Sequence, residues 1–172
     1  FNYQADLPVE QLTSKYANNE SAFVALDDMR VHYRDEGNPS DSIPLVLLHG
    51  TSSSLLTWDK WTELLKSKHR IIRLDLPAFG ITGPNPQGDY SLPYYVNFLH
   101  RFLQTIGVKQ YYLAGNSLGG SIAWNVAVAF PQEVKKLILL DAGGYTTPGK
   151  LKGGNLGFRI AKMPIIKNLV RY

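Results

Sequence analysis

The stretch YYLAGNSLGGSIAWNVAVAF, residues 111–130, decides the fold. Its first four residues form a short run of the kind that makes a buried strand. Residues 117–130 are rich in alanine and other apolar residues, and Pro131 directly after them is expected to end a helix. Glycines flank Ser117, at the point where the strand has to turn into the helix. The stretch therefore predicts a strand, a tight turn and a helix in direct succession.

The same alternation continues on both sides of this stretch. Residues 43–48 form an almost unbroken apolar run, which predicts a strand covered on both faces, and residues 71–76 and 137–140 are predicted to be further buried strands. Residues 55–65 and 91–106 carry apolar residues at helical spacing. Strands that alternate with helices of this length predict right-handed βαβ units. We expect an α/β fold with a mostly parallel sheet and helices on both faces.

The first forty residues follow a different pattern. Residues 8–17 have a proline at the start and a lysine near the end, which predicts a short surface helix. Residues 23–26 and 30–34 are strand-like, with Asp27 and Asp28 between them as the turn. We expect an antiparallel hairpin at one edge of the sheet.

Charge is unevenly distributed along the chain. Residues 144–172 hold six basic residues and no acid, which leaves 12 basic and 14 acidic residues in the rest. The main body is therefore not expected to bind nucleic acid. The absence of cysteine excludes disulfides and thiolate metal sites. There is also no long apolar run and no charged leader that would predict a membrane span or a signal peptide within the sequence.

The flanks of Ser117 fit nucleophilic chemistry. A serine hydroxyl is a weak nucleophile, so it must be exposed, close to a base and close to donors for the oxyanion that forms on attack. A sharp strand-to-helix turn presents it in this way, and Gly115 and Gly119 leave room for that turn. We predict Ser117 as the nucleophile and the N–H of Leu118 as one oxyanion donor. The alternative is that Ser117 only caps the helix.

A second motif, His49-Gly50-Thr51, follows the strand predicted at residues 43–48. Gly50 lets the backbone turn, so that the N–H of Thr51 faces the site as the second oxyanion donor. Taken alone, the motif is also consistent with a plain turn at the end of a strand.

These motifs together resemble the α/β-hydrolase superfamily. The resemblance covers about residues 22–145 and rests on the run from Leu47 to Trp58, on DLPAFG at residues 75–80, on GNSLGG at residues 115–120 and on LILLDA at residues 137–142. It is greatest to the serine hydrolases with a helical cap, such as meta-cleavage product hydrolases, esterases and lipases. Ala78 departs from the pattern, because that turn usually has glycine there, and it implies a turn geometry that tolerates a side chain.

The resemblance also implies an acid and a histidine after the serine in chain order. All four histidines precede Ser117, so each is expected to have a local structural or surface role. Asp141 is a candidate for the acid, with a structural cap as the alternative. We therefore expect residues 1–143 to be the N-terminal part of the hydrolase core, without the last strands. A C-terminal portion would supply the base, the acid and most of the cap.

Residues 144–172 change in character, with glycines first and then apolar residues spaced among the bases. We interpret them as a hinge and the start of the helical cap. A solvated tail and a helix lying on a membrane surface are the alternatives.

The sequence thus predicts a serine hydrolase that acts on a small apolar or ester-type substrate. A non-catalytic receptor or regulator on the same fold is the alternative. A haloperoxidase-like activity uses the same kind of serine, whereas the dehalogenases and epoxide hydrolases of this superfamily attack with aspartate. No dinucleotide or phosphate-binding glycine motif and no cluster of metal ligands is visible, so no cofactor is expected. Because residue 1 is Phe rather than Met, we expect a segment upstream and leave the compartment open between cytoplasm and cell envelope.

Overall fold

The computed structural model describes residues 7–144. Within them, the helices are α1 (Val9–Tyr16), α2 (Asp59–Leu65), α3 (Leu92–Thr105) and α4 (Leu118–Ala129). The strands are β1 (Ser21–Leu26), β2 (Met29–Gly37), β3 (Leu45–Leu48), β4 (Arg70–Leu74), β5 (Tyr111–Asn116) and β6 (Val134–Leu140). The segment predicted as hinge and cap lies outside the described residues apart from Gly144, so that prediction stays untested.

The strands form one sheet in the order β1-β2-β4-β3-β5-β6. Strands β4, β3, β5 and β6 are parallel, whereas β1 and β2 form an antiparallel hairpin whose second strand pairs antiparallel with β4. The predicted edge hairpin is therefore confirmed. Its turn is made by Asp27 and Asp28, which both have positive φ angles, a conformation that aspartate tolerates better than most residues.

Helices cover both faces of the sheet, as predicted. Successive side chains of a strand point to opposite faces. Val46 and Leu48 of β3 therefore pack in the cluster that contains the buried residues of α3 and α4, whereas Leu45 and Leu47 pack against Trp58 and its neighbours on the other face. Each large apolar side chain buried in these layers stabilises the fold by about 1.5–3 kcal/mol.

The signals at the ends of α3 explain its length. The hydroxyl of Ser91 accepts a hydrogen bond from the N–H of Tyr94 and so caps the first turn, in which Pro93 needs no backbone donor. The chain leaves the helix at Gly107, whose φ of 78° is costly for other residues. The helix predicted at residues 55–65 is instead divided into a 3-10 turn, Leu55–Trp58, and α2.

Strand β6 differs from the sequence prediction. Residues 137–140 were expected to be buried on both faces, yet Leu137, Ile138 and Leu139 are 37–45% exposed. The reason is that, among the described residues 7–144, β6 lies at the edge of the sheet and pairs with β5 alone. An apolar run predicts that a strand is meant to be covered, but it does not show which element covers it.

None of the helices between residues 7 and 144 is long and apolar enough to cross a bilayer.

Candidate active site

Ser117 lies between the last residue of β5 and the first residue of α4. Its backbone has φ 51° and ψ −111°, a sparsely populated region for a residue with a side chain. The side chain is exposed and makes no hydrogen bond to the helix that follows, so Ser117 does not cap α4 through its hydroxyl. A strained and exposed hydroxyl at this place is what a presented nucleophile requires.

Backbone hydrogen bonds hold this turn in place. The N–H of Ser117 donates to the carbonyl of Leu140 at 3.0 Å. Its carbonyl accepts from the N–H of Ser121 at 3.0 Å and from that of Gly143 at 3.2 Å. The turn is thereby tied to the end of β6 and to the residues that follow it.

The glycines around Ser117 are required by close backbone contacts. A Cβ atom on Gly115 would lie 2.2 Å from the carbonyl oxygen of Gly119. One on Gly119 would lie 2.3 Å from the carbonyl oxygen of Leu48, at the end of β3. Since no rotamer change moves a backbone oxygen, only glycine fits at either position.

Gly50 brings the second predicted motif to the same place. A Cβ atom on Gly50 would lie 3.2 Å from the Cβ of Ser117, so the end of β3 adjoins the turn. Thr51, which follows Gly50, is exposed. Leu118 is the first residue of α4, and an N–H at that position has no acceptor within the helix. The residues predicted as oxyanion donors therefore flank the contact between Gly50 and Ser117, while the donor role itself stays a prediction.

His49 makes hydrogen bonds within this motif that leave neither ring nitrogen free to act as a base. Its buried ring donates from Nδ1 to the carbonyl of Gly50 at 2.8 Å and accepts at Nε2 from the N–H of Leu76 at 3.0 Å. Both nitrogens are therefore occupied, which requires the neutral ring. Burial lowers the pKa of His49 below its ordinary value, although its hydrogen bond to Gly50 opposes the change.

The other three histidines also have partners away from Ser117. His32 contacts Asp75, His69 contacts Asp41, and His100 contacts Glu133. These contacts agree with the local roles expected from the sequence, and none of the described histidines is positioned as the base.

Asp141 is exposed, follows β6 and has a φ of 45°. Within residues 7–144 no histidine contacts its side chain. Its proposed role as the acid therefore stays a prediction.

Sequence reasoning missed the part played by Asp75. This carboxylate is 2% exposed and accepts hydrogen bonds from His32 Nδ1 at 2.8 Å, from the N–H of Leu55 at 2.8 Å and from the N–H of Ile81 at 3.0 Å. It thus fixes the end of the loop at residues 50–54, which we call the 50–54 loop. The only signal in the sequence was the DLPAFG motif that contains it. A Cβ on Gly80 would lie 2.1 Å from its carboxylate, which accounts for the last glycine of that motif.

The same turn corrects the interpretation of Ala78. Ala78 has a φ of 75°, in the left-handed region that favours glycine. The turn keeps the geometry that suits glycine, and the alanine is held in it, in part by the hydrogen bond from its N–H to the carbonyl of Gly83 at 2.8 Å.

His32 also connects Asp75 to a second serine. Its Nε2 lies 2.8 Å from the hydroxyl of Ser21. The chemical order Ser–His–Asp is that of a catalytic triad, but His32 and Asp75 are each 2% exposed, and the carboxylate of Asp75 is also held by the N–H groups of Leu55 and Ile81. We interpret the contacts between Ser21, His32 and Asp75 as a structural hydrogen-bond network.

The geometry defines a class of protein, one with an α/β sheet and a serine held at a strained strand-to-helix turn. The sequence model of the alpha/beta hydrolase fold matches residues 43–161. The chain therefore belongs to the α/β-hydrolase superfamily.

Relatives that are named hydrolases agree with this assignment. The 2-hydroxymuconate semialdehyde hydrolase of Pseudomonas sp. CF600 is 30% identical over 70% of this chain and 42% of its own length. The 2-hydroxy-6-oxononadienedioate/2-hydroxy-6-oxononatrienedioate hydrolase of Burkholderia vietnamiensis is 30% identical over 93% of this chain and 57% of its own.

The solved structure of Cfl2 from Burkholderia cenocepacia superposes with a TM-score of 0.77 at 29% identity, covering 87% of this chain and 53% of that one. The chain thus spans between about a third and three fifths of the length of its relatives.

Within the described residues no group of three or more metal-binding side chains lies together.

Proposed function

We propose that this chain carries the nucleophile and the oxyanion hole of a serine hydrolase that acts on an ester or a similar carbonyl substrate. The observation that carries the proposal is the backbone of Ser117, strained at φ 51° and exposed directly before a helix N-terminus. Strain of this kind is retained where the surrounding structure imposes it, most often at functional sites.

In this proposal the Ser117 hydroxyl attacks the carbonyl carbon while a base removes its proton. The carbonyl oxygen becomes an oxyanion and receives hydrogen bonds from the amides of Thr51 and Leu118. The leaving group departs with the proton from the base, and water then releases the acyl group from the serine. Removal of one such donor typically lowers kcat about a hundredfold or more.

The base and the acid that orients it are supplied, in this proposal, by a C-terminal portion beyond the residues described. Two observations support this. The four histidines of the sequence are all bonded to partners other than Ser117. The relatives are also considerably longer than the part that this chain matches.

Covalent labelling tests the proposal. A fluorophosphonate probe should label the complete protein at Ser117, and the Ser117→Ala variant should not be labelled. Ser121→Ala, one turn further along α4, is the matched control and should be labelled like the wild type. Labelling that survives Ser117→Ala, or a wild type that is never labelled, would contradict the proposal and favour a ligand-binding role on the same fold.

A further inference from the structure

The 50–54 loop, which carries Thr51, is followed by a fully buried residue whose backbone is held on both sides. The N–H of Leu55 donates to Oδ1 of Asp75 at 2.8 Å, and its carbonyl accepts from Nη1 of Arg73 at 3.2 Å. Leu55 is buried completely, whereas Thr51 is exposed. The loop is therefore fixed at its far end by two side chains that belong to β4 and to the turn after it.

The loop also contains a strained residue. Ser52 has a φ of 57°, in the left-handed region that costs energy for a residue with a side chain. Such a conformation persists only where the surrounding contacts impose it. Because Ser52 directly follows Thr51, release of the loop end at Leu55 would let the chain relax at Ser52 and displace the Thr51 amide. The bond between Leu55 and Asp75 therefore bears on the proposed oxyanion donor.

Three donors orient the carboxylate of Asp75. Oδ1 accepts from the N–H of Leu55, while Oδ2 accepts from Nδ1 of His32 at 2.8 Å and from the N–H of Ile81 at 3.0 Å. Two of these donors are backbone amides, so His32 is the donor that a substitution removes. A carboxylate that loses a donor on Oδ2 gains freedom to rotate, and Oδ1 moves with it.

His32, which lies in β2, is itself held in one orientation. Its backbone N–H donates to Oγ1 of Thr82 at 3.0 Å, and that hydroxyl donates to the backbone carbonyl of Asp75 at 2.8 Å. The ring is buried, and its Nε2 lies 2.8 Å from the hydroxyl of Ser21. Contacts at both ring nitrogens thus present Nδ1 to Asp75 in a fixed direction.

From these contacts we infer that His32 is a positioning residue for the proposed hydrolysis. Through Asp75 and Leu55 it fixes the 50–54 loop, so that the Thr51 amide points at the oxyanion. Oxyanion donors act at about 2.7–3.1 Å, and a misplacement of about 1 Å lowers a rate about a hundredfold. The inference rests on the proposed function and adds to it a residue of the edge hairpin that acts through other residues.

Two substitutions of His32 in the complete protein separate the contacts of its two nitrogens. The amide of His32→Asn takes the place of Nδ1 and still donates to Asp75, whereas the amide of His32→Gln takes the place of Nε2 and loses that contact. His32→Gln should lower kcat for p-nitrophenyl acetate by at least about tenfold and leave KM within about twofold, because the oxyanion forms only on attack. His32→Asn should keep kcat within about threefold. Equal kcat values in the two variants, or a loss confined to KM, would overturn the inference.

His100→Gln is the matched control for the removal of a histidine from a carboxylate. His100 contacts Glu133, which directly precedes β6 and so lies at the opposite end of the parallel strands from Ser117. This variant should keep both kcat and KM within about twofold. A loss of kcat as large as that in His32→Gln would show that the effect is not specific to the 50–54 loop and would contradict the inference.

Amide hydrogen exchange, measured by mass spectrometry, separates this inference from the proposed function. The amides of the 50–54 loop and of Leu55 should exchange faster in His32→Gln than in the wild type, and as slowly as in the wild type in His32→Asn. Unchanged exchange in His32→Gln overturns the positioning role, whatever the kinetics show. If Ser117→Ala retained full hydrolysis, the proposed nucleophile would be wrong, while the exchange rates would still decide whether His32 holds the loop.

Discussion

At the scale of single residues, Ser117 combines a functional position with a conformational cost. A backbone in such a sparsely populated region costs about 1–3 kcal/mol in a residue that has a Cβ. The cost is offset by the backbone hydrogen bonds of the turn and by the close backbone packing at Gly115 and Gly119.

Ser117→Gly should therefore stabilise the fold by about 1 kcal/mol, because glycine adopts this backbone conformation with less strain. The measurement is the free energy of unfolding in urea. Ser117→Ala keeps the Cβ and is the control, for which we expect little gain. A Ser117→Gly variant no more stable than Ser117→Ala would show that the turn is not strained.

His49 makes stability depend on pH. Its pKa is lowered from 6.5 in the folded protein, so on acidification the unfolded chain takes up the proton first. The neutral ring contributes its full stability above about pH 6.5, and that contribution falls as the pH drops towards the lower folded value. Urea midpoints measured between about pH 7.5 and pH 5.5 should therefore decline less in His49→Gln than in the wild type. An equally steep decline in His49→Gln would contradict this account.

The sequence predicts some of these residues but not others. Ser117 and its glycines were predictable because a local motif encodes a local turn. The role of Asp75 was not, because its donors lie 43 residues before it, 20 residues before it and 6 residues after it in the chain. The strained φ of Ala78 was also missed, since a side chain there suggested an ordinary turn.

At the scale of elements, a buried ion pair connects β2, β4 and α2. Arg73 of β4 is 2% exposed, contacts Glu36 of β2 at 2.7 Å and also contacts Asp59 of α2. The strand predicted at residues 71–76 is buried as expected, but its pattern did not indicate which acidic residues pair with Arg73 inside the protein. The partner of a charged residue within a strand can be predicted only when the neighbouring strand is known.

Removal of Arg73 should be costly because it leaves the buried Glu36 carboxylate without its partner. We expect Arg73→Met to destabilise the fold by about 3–5 kcal/mol. Arg70→Met is the matched control on the same strand, where the pair with Asp35 is partly exposed, and it should cost at most about 1 kcal/mol. Differential scanning fluorimetry and urea unfolding would measure both. Similar losses in the two variants would refute the distinction.

At the scale of the whole molecule, the sequence correctly predicted the α/β class and the hydrolase superfamily. The prediction that β6 is buried on both faces was wrong. The apolar residues of β6 are exposed together at the edge of the sheet, and exposed apolar patches and sheet edges promote association. We expect the C-terminal portion that the proposed function requires to cover this edge.

A polypeptide of residues 1–172 prepared alone should therefore self-associate and enhance the fluorescence of the dye ANS. Replacing Ile138 and Leu139 together by lysine should reduce both effects, as measured by light scattering after gel filtration and by ANS fluorescence. Val128→Lys, at a single exposed apolar position on α4, should change neither. A monomeric polypeptide that binds no dye would show that this edge does not promote self-association.

The carboxylate of Asp75 also has a consequence for the order of assembly during synthesis. The chain emerges from the ribosome from its N-terminus, so the HGT motif leaves the ribosome before the aspartate that anchors the end of the 50–54 loop. Until residues 75–81 have emerged, the amide of Leu55 lacks this acceptor and His32 lacks its acidic partner. The nascent protein thus contains the HGT motif before the loop that follows it can adopt its folded conformation.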